Sequence, residues 1–165
     1  MGILDNLKKA GYKPKASQDG IWEPYTGVYK LDWVTCRKEI DAKNGNVAYI
    51  QAEWNILETL AGTDKRPSKY ADFRKRYYIE GEKAEENMQK FLDDAFTFGI
   101  DLSDSSDESS LEGRFGELVG RQGFGRAWAW TPDDAQAAKQ MFTLTQEKQA
   151  MKAVSKIQGS QGHPL

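Results

Sequence analysis

The chain of 165 residues holds one cysteine, Cys36, and one histidine, His163. A lone thiol excludes an internal disulfide, one cysteine with one histidine cannot assemble a Cys/His zinc set, and the place of His163 in a polar tail argues against Cys–His or Ser–His–Asp nucleophilic catalysis. Cys36 lies in a strand-like run and reads as a small buried hydrophobe, and His163 reads as a solvated tail residue. No apolar run approaches the roughly 20 residues that cross a bilayer. The opening MGILDNLKKAGYKPK lacks the apolar stretch of a secretory signal, and Asn6 stands where a myristoylation signal wants Ser or Thr. There is no phosphate-cradling loop, and GRQGFGR has glycines without the spacing or following helix of a dinucleotide site. The paired carboxylates Glu85-Glu86 and Asp93-Asp94 occupy adjacent helix positions and diverge around the axis instead of converging on a substrate. These absences point away from an enzyme, a metal, a cofactor and a membrane, and toward a binding protein of the cytoplasm.

Net charge is small as well, −2, so the chain has no global attraction for a polyanion. The charge is unevenly placed. Residues 1–80 carry +3, residues 81–112 carry −8 and residues 113–165 carry +3. Any anion-binding role is therefore local. Within DFRKRYYIEG, Asp72 to Gly81, three basic residues and three aromatics fall in ten positions.

The texture along the chain is that of a strand protein. Residues 1–20 form a flexible leader with room for a brief helix around Ile3 and Leu4. GVYKLDWVTCRKEI alternates Tyr29, Leu31 and Trp33 against Lys30 and Asp32, a long first strand. Asn44-Gly45 signals a two-residue hairpin turn, and VAYIQAEWNILE alternates Ala48, Ile50, Ala52, Trp54 and Ile56 against Tyr49, Gln51, Glu53 and Asn55. After the turn-rich GTDKRPS a third strand places Arg74, Arg76 and Tyr78 on one face and Lys75 and Tyr77 on the other.

Helical spacing follows, with Met88, Phe91, Leu92, Ala95 and Phe96 on one stripe and Gly99 as its stop. The acidic segment 101–112 reads as a flexible connection. In GRQGFGRAWAW the even positions Gln122 to Trp130 are large and the odd positions small, and KQMFTLTQ supplies a fifth strand with Phe142 and Leu144 on one side. The order predicts a mainly β fold: a five-stranded OB-fold Greek-key barrel with one helix between strands three and four. The division is a leader at 1–20, the OB-fold domain at 21–146, and a helical or disordered tail at 147–165.

Basic residues alternating with aromatics on strands suit single-stranded nucleic acid, since cations track phosphates and rings stack on unpaired bases. Candidate binding residues are Arg37, Lys43, Tyr49, Arg74, Arg76, Tyr78, Arg121, Phe124, Arg126, Trp128 and Trp130. For each strand tryptophan a place in the core is the competing assignment, and for the arginines plain solvation. The stretches GVYKLDWVTCRKEIDAKNGNVAYIQAEWNILE, FRKRYYI, FTFGIDL and ELVGRQGFGRAWAW resemble, in order and spacing, bacteriophage single-stranded-DNA-binding proteins with OB-folds from replication and recombination gene clusters. The resemblance covers about residues 20–145 and contains no invariant catalytic motif. It implies sequence-independent coating of single-stranded DNA, with RNA as an alternative ligand, in the cytoplasm of an infected host. Its implied partners are phage or host replication and recombination enzymes, and self-association is compatible with it. One departure stands out: such proteins often end in an acidic tip, whereas AVSKIQGSQGHPL has no acid and the acidic run lies inside the chain. A competing reading is a small phage interaction module that docks on a host or phage enzyme through the same aromatic strands.

Overall fold

The structure, a computed structural model, describes residues 2–10, 23–133 and 137–161. Tyr12, Trp22, His163 and the rest of the proposed leader beyond Ala10 lie outside the described residues. The elements are α1 (Ile3–Lys9), β1 (Gly27–Asp41), β2 (Val47–Gly62), β3 (Phe73–Tyr78), α2 (Ala84–Thr97), α3 (Glu108–Gly113), β4 (Gln122–Trp130), β5 (Lys139–Thr145) and α4 (Glu147–Gln161). The five strands form one antiparallel sheet in the order β3-β2-β1-β4-β5.

The β1–β2 hairpin is the spine of the sheet. Its turn is longer than the expected Asn44-Gly45 pair: Asp41 opposes Val47, and a 3-10 turn, Ala42–Asn44, leads into Gly45 and Asn46, both left-handed at φ +69 and +61. Three register shifts interrupt the hairpin, at Val28/Tyr29, Lys30/Leu31 and Trp33/Thr35. Each inserts a local bend and extra twist, so the sheet coils instead of lying flat.

Coiling brings the two edges, β3 and β5, toward each other. No strand pairing joins them among the described residues, so the sheet stays open and the expected closed barrel is not formed. Aromatic side chains bridge the gap. Phe73 of β3 stacks on Phe142 of β5 with centroids 5.1 Å apart, and Trp54 meets the same Phe142 at 5.4 Å. At the mouth of this seam the Gln140 amide takes the Tyr25 N–H at 2.5 Å and donates to the Tyr25 carbonyl at 2.9 Å, standing in for a strand partner.

The core lies on one side of the sheet. Tyr29, Leu31 and Trp33 of β1 face Ile50, Ala52, Trp54 and Ile56 of β2, the alternation expected. Trp33 and Trp54 are register partners 4.8 Å apart and fully buried. α2 closes this side through Phe91 and Ala95, followed by Phe98; Phe96, expected on the same stripe, points out at 60 % exposure. The small side of β4 is explained by close approach: a Cβ on Gly123 would stand 2.8 Å from the Phe98 ring, and one on Gly125 2.8 Å from Leu31 Cδ1. Asp94 accepts from the buried Tyr77 hydroxyl and pairs with Lys75 at 3.2 Å, tying α2 to the inner face of β3.

Two segments are more ordered than the sequence suggests. The connection between β3 and β4 holds α3 and a 3-10 turn, Phe115–Glu117, besides α2, so the single expected helix is replaced by three helical pieces. The supposed flexible segment is folded there: Asp107 accepts the Ser110 N–H at 2.7 Å, Leu111 packs in the core, and Arg114 bridges Asp104 at 2.5 Å and Glu117 at 2.7 Å. After β5 the tail forms α4, which lays Ala150 and Ala153 on Val28, Leu60 and Phe124, on the sheet face opposite the main core. Among the described residues no helix is long and apolar enough to cross a membrane.

Candidate nucleic-acid interface

The outer face of β1, β2 and β3 beyond α4 is a grid of three rows, because register fixes which side chains stand side by side. Thr35, Glu53 and Arg74 share one row, Arg37, Gln51 and Arg76 the next, and Glu39, Tyr49 and Tyr78 the third. Arg37 and Arg76 thus flank the buried Gln51 and are separated by two strand spacings, about 10 Å. Lys75 and Tyr77 point to the core side, as the alternation requires.

Arg76 organises the third row. Its guanidinium lies 4.6 Å from the Tyr49 ring centroid and 3.6 Å from Asp41 Oδ2, which also accepts the Tyr78 hydroxyl at 2.9 Å. The rings of Tyr49 and Tyr78 are 5.4 Å apart. The guanidinium is held above its ordinary pKa, first by hydrogen bonding with Tyr78 and then by the neighbouring Tyr49, Tyr78 and Asp41. Like any arginine it is cationic across the accessible pH range. Tyr49 is 8 % exposed, so the surface offered to a ligand is the flat guanidinium with Tyr78 beside it, and the tyrosine ring serves as its support. Arginine planes of this kind stack on bases and bond phosphates.

The face is not uniformly positive. Arg37 is paired with Glu39 at 2.5 Å, and Glu53 stands opposite Arg74. Lys43 is exposed on the hairpin turn, where its N–H bonds the Asp41 carboxylate at 3.2 Å. Glu39 thus pairs with Arg37, and together with Asp41 and Glu53 it reduces the net attraction of this face.

The remaining candidates stand elsewhere. Trp128 and Trp130 are exposed by 42 % and 51 %, on the same outer side of β4 as the exposed Arg126 and near the β4–β5 connection. Phe124 shares that side but is partly buried, packed against the cluster that α4 forms with Val28. Arg121 stands in the turn ahead of β4, its Nη1 within 3.9 Å of where a Cβ on Gly99 would be, which places it with the end of α2 and apart from the Tyr49–Tyr78 grid.

Sequence reasoning missed Arg66 and Tyr70. Arg66 lies 4.4 Å over the Tyr25 ring, a second guanidinium laid on a tyrosine, and Tyr70 is 73 % exposed. The signal for them was present in GTDKRPSKY, whose two lysines and arginine sit beside a tyrosine, but its turn chemistry draws attention to the backbone. Among the described residues no group of three or more His, Cys, Asp or Glu is placed to hold a metal ion. No protein-family model matches the chain, and no curated protein matches it significantly.

Proposed function

We propose that this chain binds single-stranded nucleic acid, DNA in the first instance, without sequence preference. The observation that carries this is the Arg76–Tyr49–Tyr78 arrangement, in which a flat cation rests on one ring beside a second on an exposed sheet face. Arg37, Arg74 and Lys43 extend it as phosphate contacts, and Trp128 and Trp130 are outward aromatics that bases stack on. The fold reading that fits is an OB-type barrel opened at one seam: the strand order is that of a five-stranded Greek key cut between its third and fifth strands. In that fold the outer face of strands two and three binds oligonucleotides. The resemblance to phage single-stranded-DNA-binding proteins agrees with this, and it extends the proposal to phage replication or recombination in the host cytoplasm, with no catalytic step by the chain itself.

A second reading has one observation in its favour. Trp128 and its register partner Met141 are exposed together with Trp130 on β4 and β5, which suits docking on a partner enzyme. Titration of the intrinsic tryptophan fluorescence with oligo-dT and with matched duplex, repeated over a salt series, separates the two. Quenching by the single strand with a steep salt dependence supports the nucleic-acid reading, and silence toward oligo-dT rejects it.

A further inference from the structure

We propose that the nucleic-acid path continues from the β3 face into the groove between the β2–β3 loop and β5, where Arg66, Tyr70 and Arg74 hold a second run of unpaired nucleotides. This rests on the single-strand reading above and adds to it a subsite and a footprint.

The groove follows from the open seam. Because β3 and β5 meet through Phe73 and Phe142 rather than through a strand pairing, a cleft of about 820 Å3 remains beside the ring contact. Its walls include Tyr25, Arg66, Tyr70, Arg74, Gln140 and Phe142. Its one carboxylate, Asp72, is turned inward with its side chain 2 % exposed: it accepts the Ile56 N–H at 2.9 Å and the Tyr25 hydroxyl at 3.3 Å, and pairs with Lys65 at 3.3 Å. Asp72 is thus taken up by partners of its own and is not directed at Arg66 or Arg74. On the Tyr49–Tyr78 grid, by contrast, Glu39, Asp41 and Glu53 stand among the arginines.

The chemistry of the first site recurs here. Arg66 over Tyr25 at 4.4 Å matches Arg76 over Tyr49 at 4.6 Å. Tyr70 projects at 73 % exposure from a loop whose backbone is pinned by Ser68, so an aromatic face is presented without a role in the core. Two residues join the sites. Arg74 sits on the β3 outer face and also lines the cleft, and on the far wall Gln140 donates to the Trp128 carbonyl at 3.3 Å, connecting the cleft to the strand that carries the exposed tryptophans. A strand that crosses Arg76 and Arg74 thus enters a cleft of cations and aromatic faces and leaves toward Trp128.

The test uses the full chain and fluorescence anisotropy with labelled oligo-dT of about 4 and about 16 nucleotides, the range one such fold covers. Tyr70→Ala removes a solvent-facing ring, and Arg66→Ala removes a cation. Wild type is expected to bind the long oligonucleotide more tightly than the short one. Tyr70→Ala should lose roughly 5-fold or more on the long oligonucleotide and little on the short one. Arg66→Ala should lower the salt slope by about one on the long oligonucleotide alone. If wild type shows the length preference but both variants match it, the groove proposal is overturned and the binding face stands. If wild type binds neither oligonucleotide, the single-strand reading itself fails. Photocrosslinking with 5-iodouracil in the long oligonucleotide provides a direct second measurement: adducts at Tyr70 support occupancy of the cleft, and adducts confined to Tyr78, Trp128 and Trp130 overturn it.

Discussion

The guanidinium of Arg76 covers the ring of Tyr49 at 4.6 Å while its Nη1 reaches Asp41 at 3.6 Å. Packing and charge thus meet in one side chain at the surface, and the two can be separated by substitution. Arg74 and Arg76 are solvent-facing and lie outside the main core, so Arg74→Ala/Arg76→Ala should melt close to wild type. The same double variant should weaken oligonucleotide binding for every sequence alike and lower the magnitude of the salt slope by about 1 to 2. Tyr49→Ala should behave differently: it removes the support beneath Arg76 and a buried ring, so both melting temperature and affinity fall. Thermal unfolding and a salt-series titration on the same three samples check this, and an unchanged slope in the double variant moves the phosphate contacts to Arg37 and Lys43.

Trp128, Trp130 and Phe124 share one side of β4 but differ in what covers them. The two tryptophans are open to solvent, whereas α4 lies on Phe124. Trp128→Ala and Trp130→Ala should each reduce oligonucleotide affinity by roughly 1–3 kcal/mol with a melting temperature near wild type. Phe124→Ala should instead lower stability, by up to about 3–5 kcal/mol if the site cannot collapse, and loosen α4. Paired thermal and binding measurements decide it, and a collapsed melting temperature for both tryptophan variants would mean that they support the fold after all.

What was legible in the sequence is the part governed by period-two alternation. The inward sets of β1 and β2 and the division of β3 into Arg74, Arg76 and Tyr78 against Lys75 and Tyr77 follow from strand geometry alone. What was not legible depends on contacts between distant segments. The seam between β3 and β5 is bridged by Phe73 and Phe142, a contact between distant segments that no local pattern encodes. The packing of Phe124 depends on where α4 lands, and the polar, acid-rich text of 101–112 conceals two buried leucines, Leu102 and Leu111, while Arg114 just beyond it pairs with Asp104 and Glu117. Arg66 was hidden for the same reason, since only the fold places it on Tyr25.

Those carboxylates bear on a further prediction. The acidic segment could have acted as a competitor for the basic face, but Asp104 is paired with Arg114, Asp107 holds the start of α3, and Glu108 lines a pocket with Lys38 and Ile50 on the other side of the hairpin. Asp104→Asn/Asp107→Asn/Glu108→Gln should therefore leave low-salt DNA affinity nearly unchanged. Its effect should appear as weaker protection of the Ser110 and Leu111 amides in hydrogen exchange. A clear tightening at low salt would show instead that the segment competes for the basic face.

Asp107 and two neighbouring carboxylates set an acid limit. Asp107 is held below the usual carboxylate range by the Ser110 N–H, Asp101 by Ser103, and Glu117 by Arg114. A depressed folded pKa contributes stability that is present above the unfolded value, about 4, and is lost as pH falls through the folded value. The α3 region should thus be indifferent to pH between about 7 and 5 and loosen below about 4. Asp107→Ala should have a weaker start to α3 at neutral pH and less further loss in acid. Hydrogen exchange at matched intrinsic rates across this range reads both effects.

Cys36 gives a way to connect fold and binding in one assay. It sits opposite Ala52 on the inner side of β1 and packs against the core, and burial pushes its thiol up to about 12. At pH 8 the folded protein therefore holds almost no thiolate there, while an unfolded chain with a thiol pKa near 8.5 holds a substantial fraction. Labelling by an aromatic disulfide at pH 8 should accordingly be slow, and it should accelerate in step with unfolding as urea is raised. A ligand that binds only the folded state multiplies the stability constant by one plus its concentration over Kd, about 100-fold at 100 times Kd. If exchange through the unfolded state carries the reaction, saturating oligo-dT should slow labelling by about that factor, and duplex of equal length should not. A rate that ignores both urea and oligonucleotide would show that Cys36 is reached by local opening of β1 beyond Asp32, the stretch where β4 no longer flanks it.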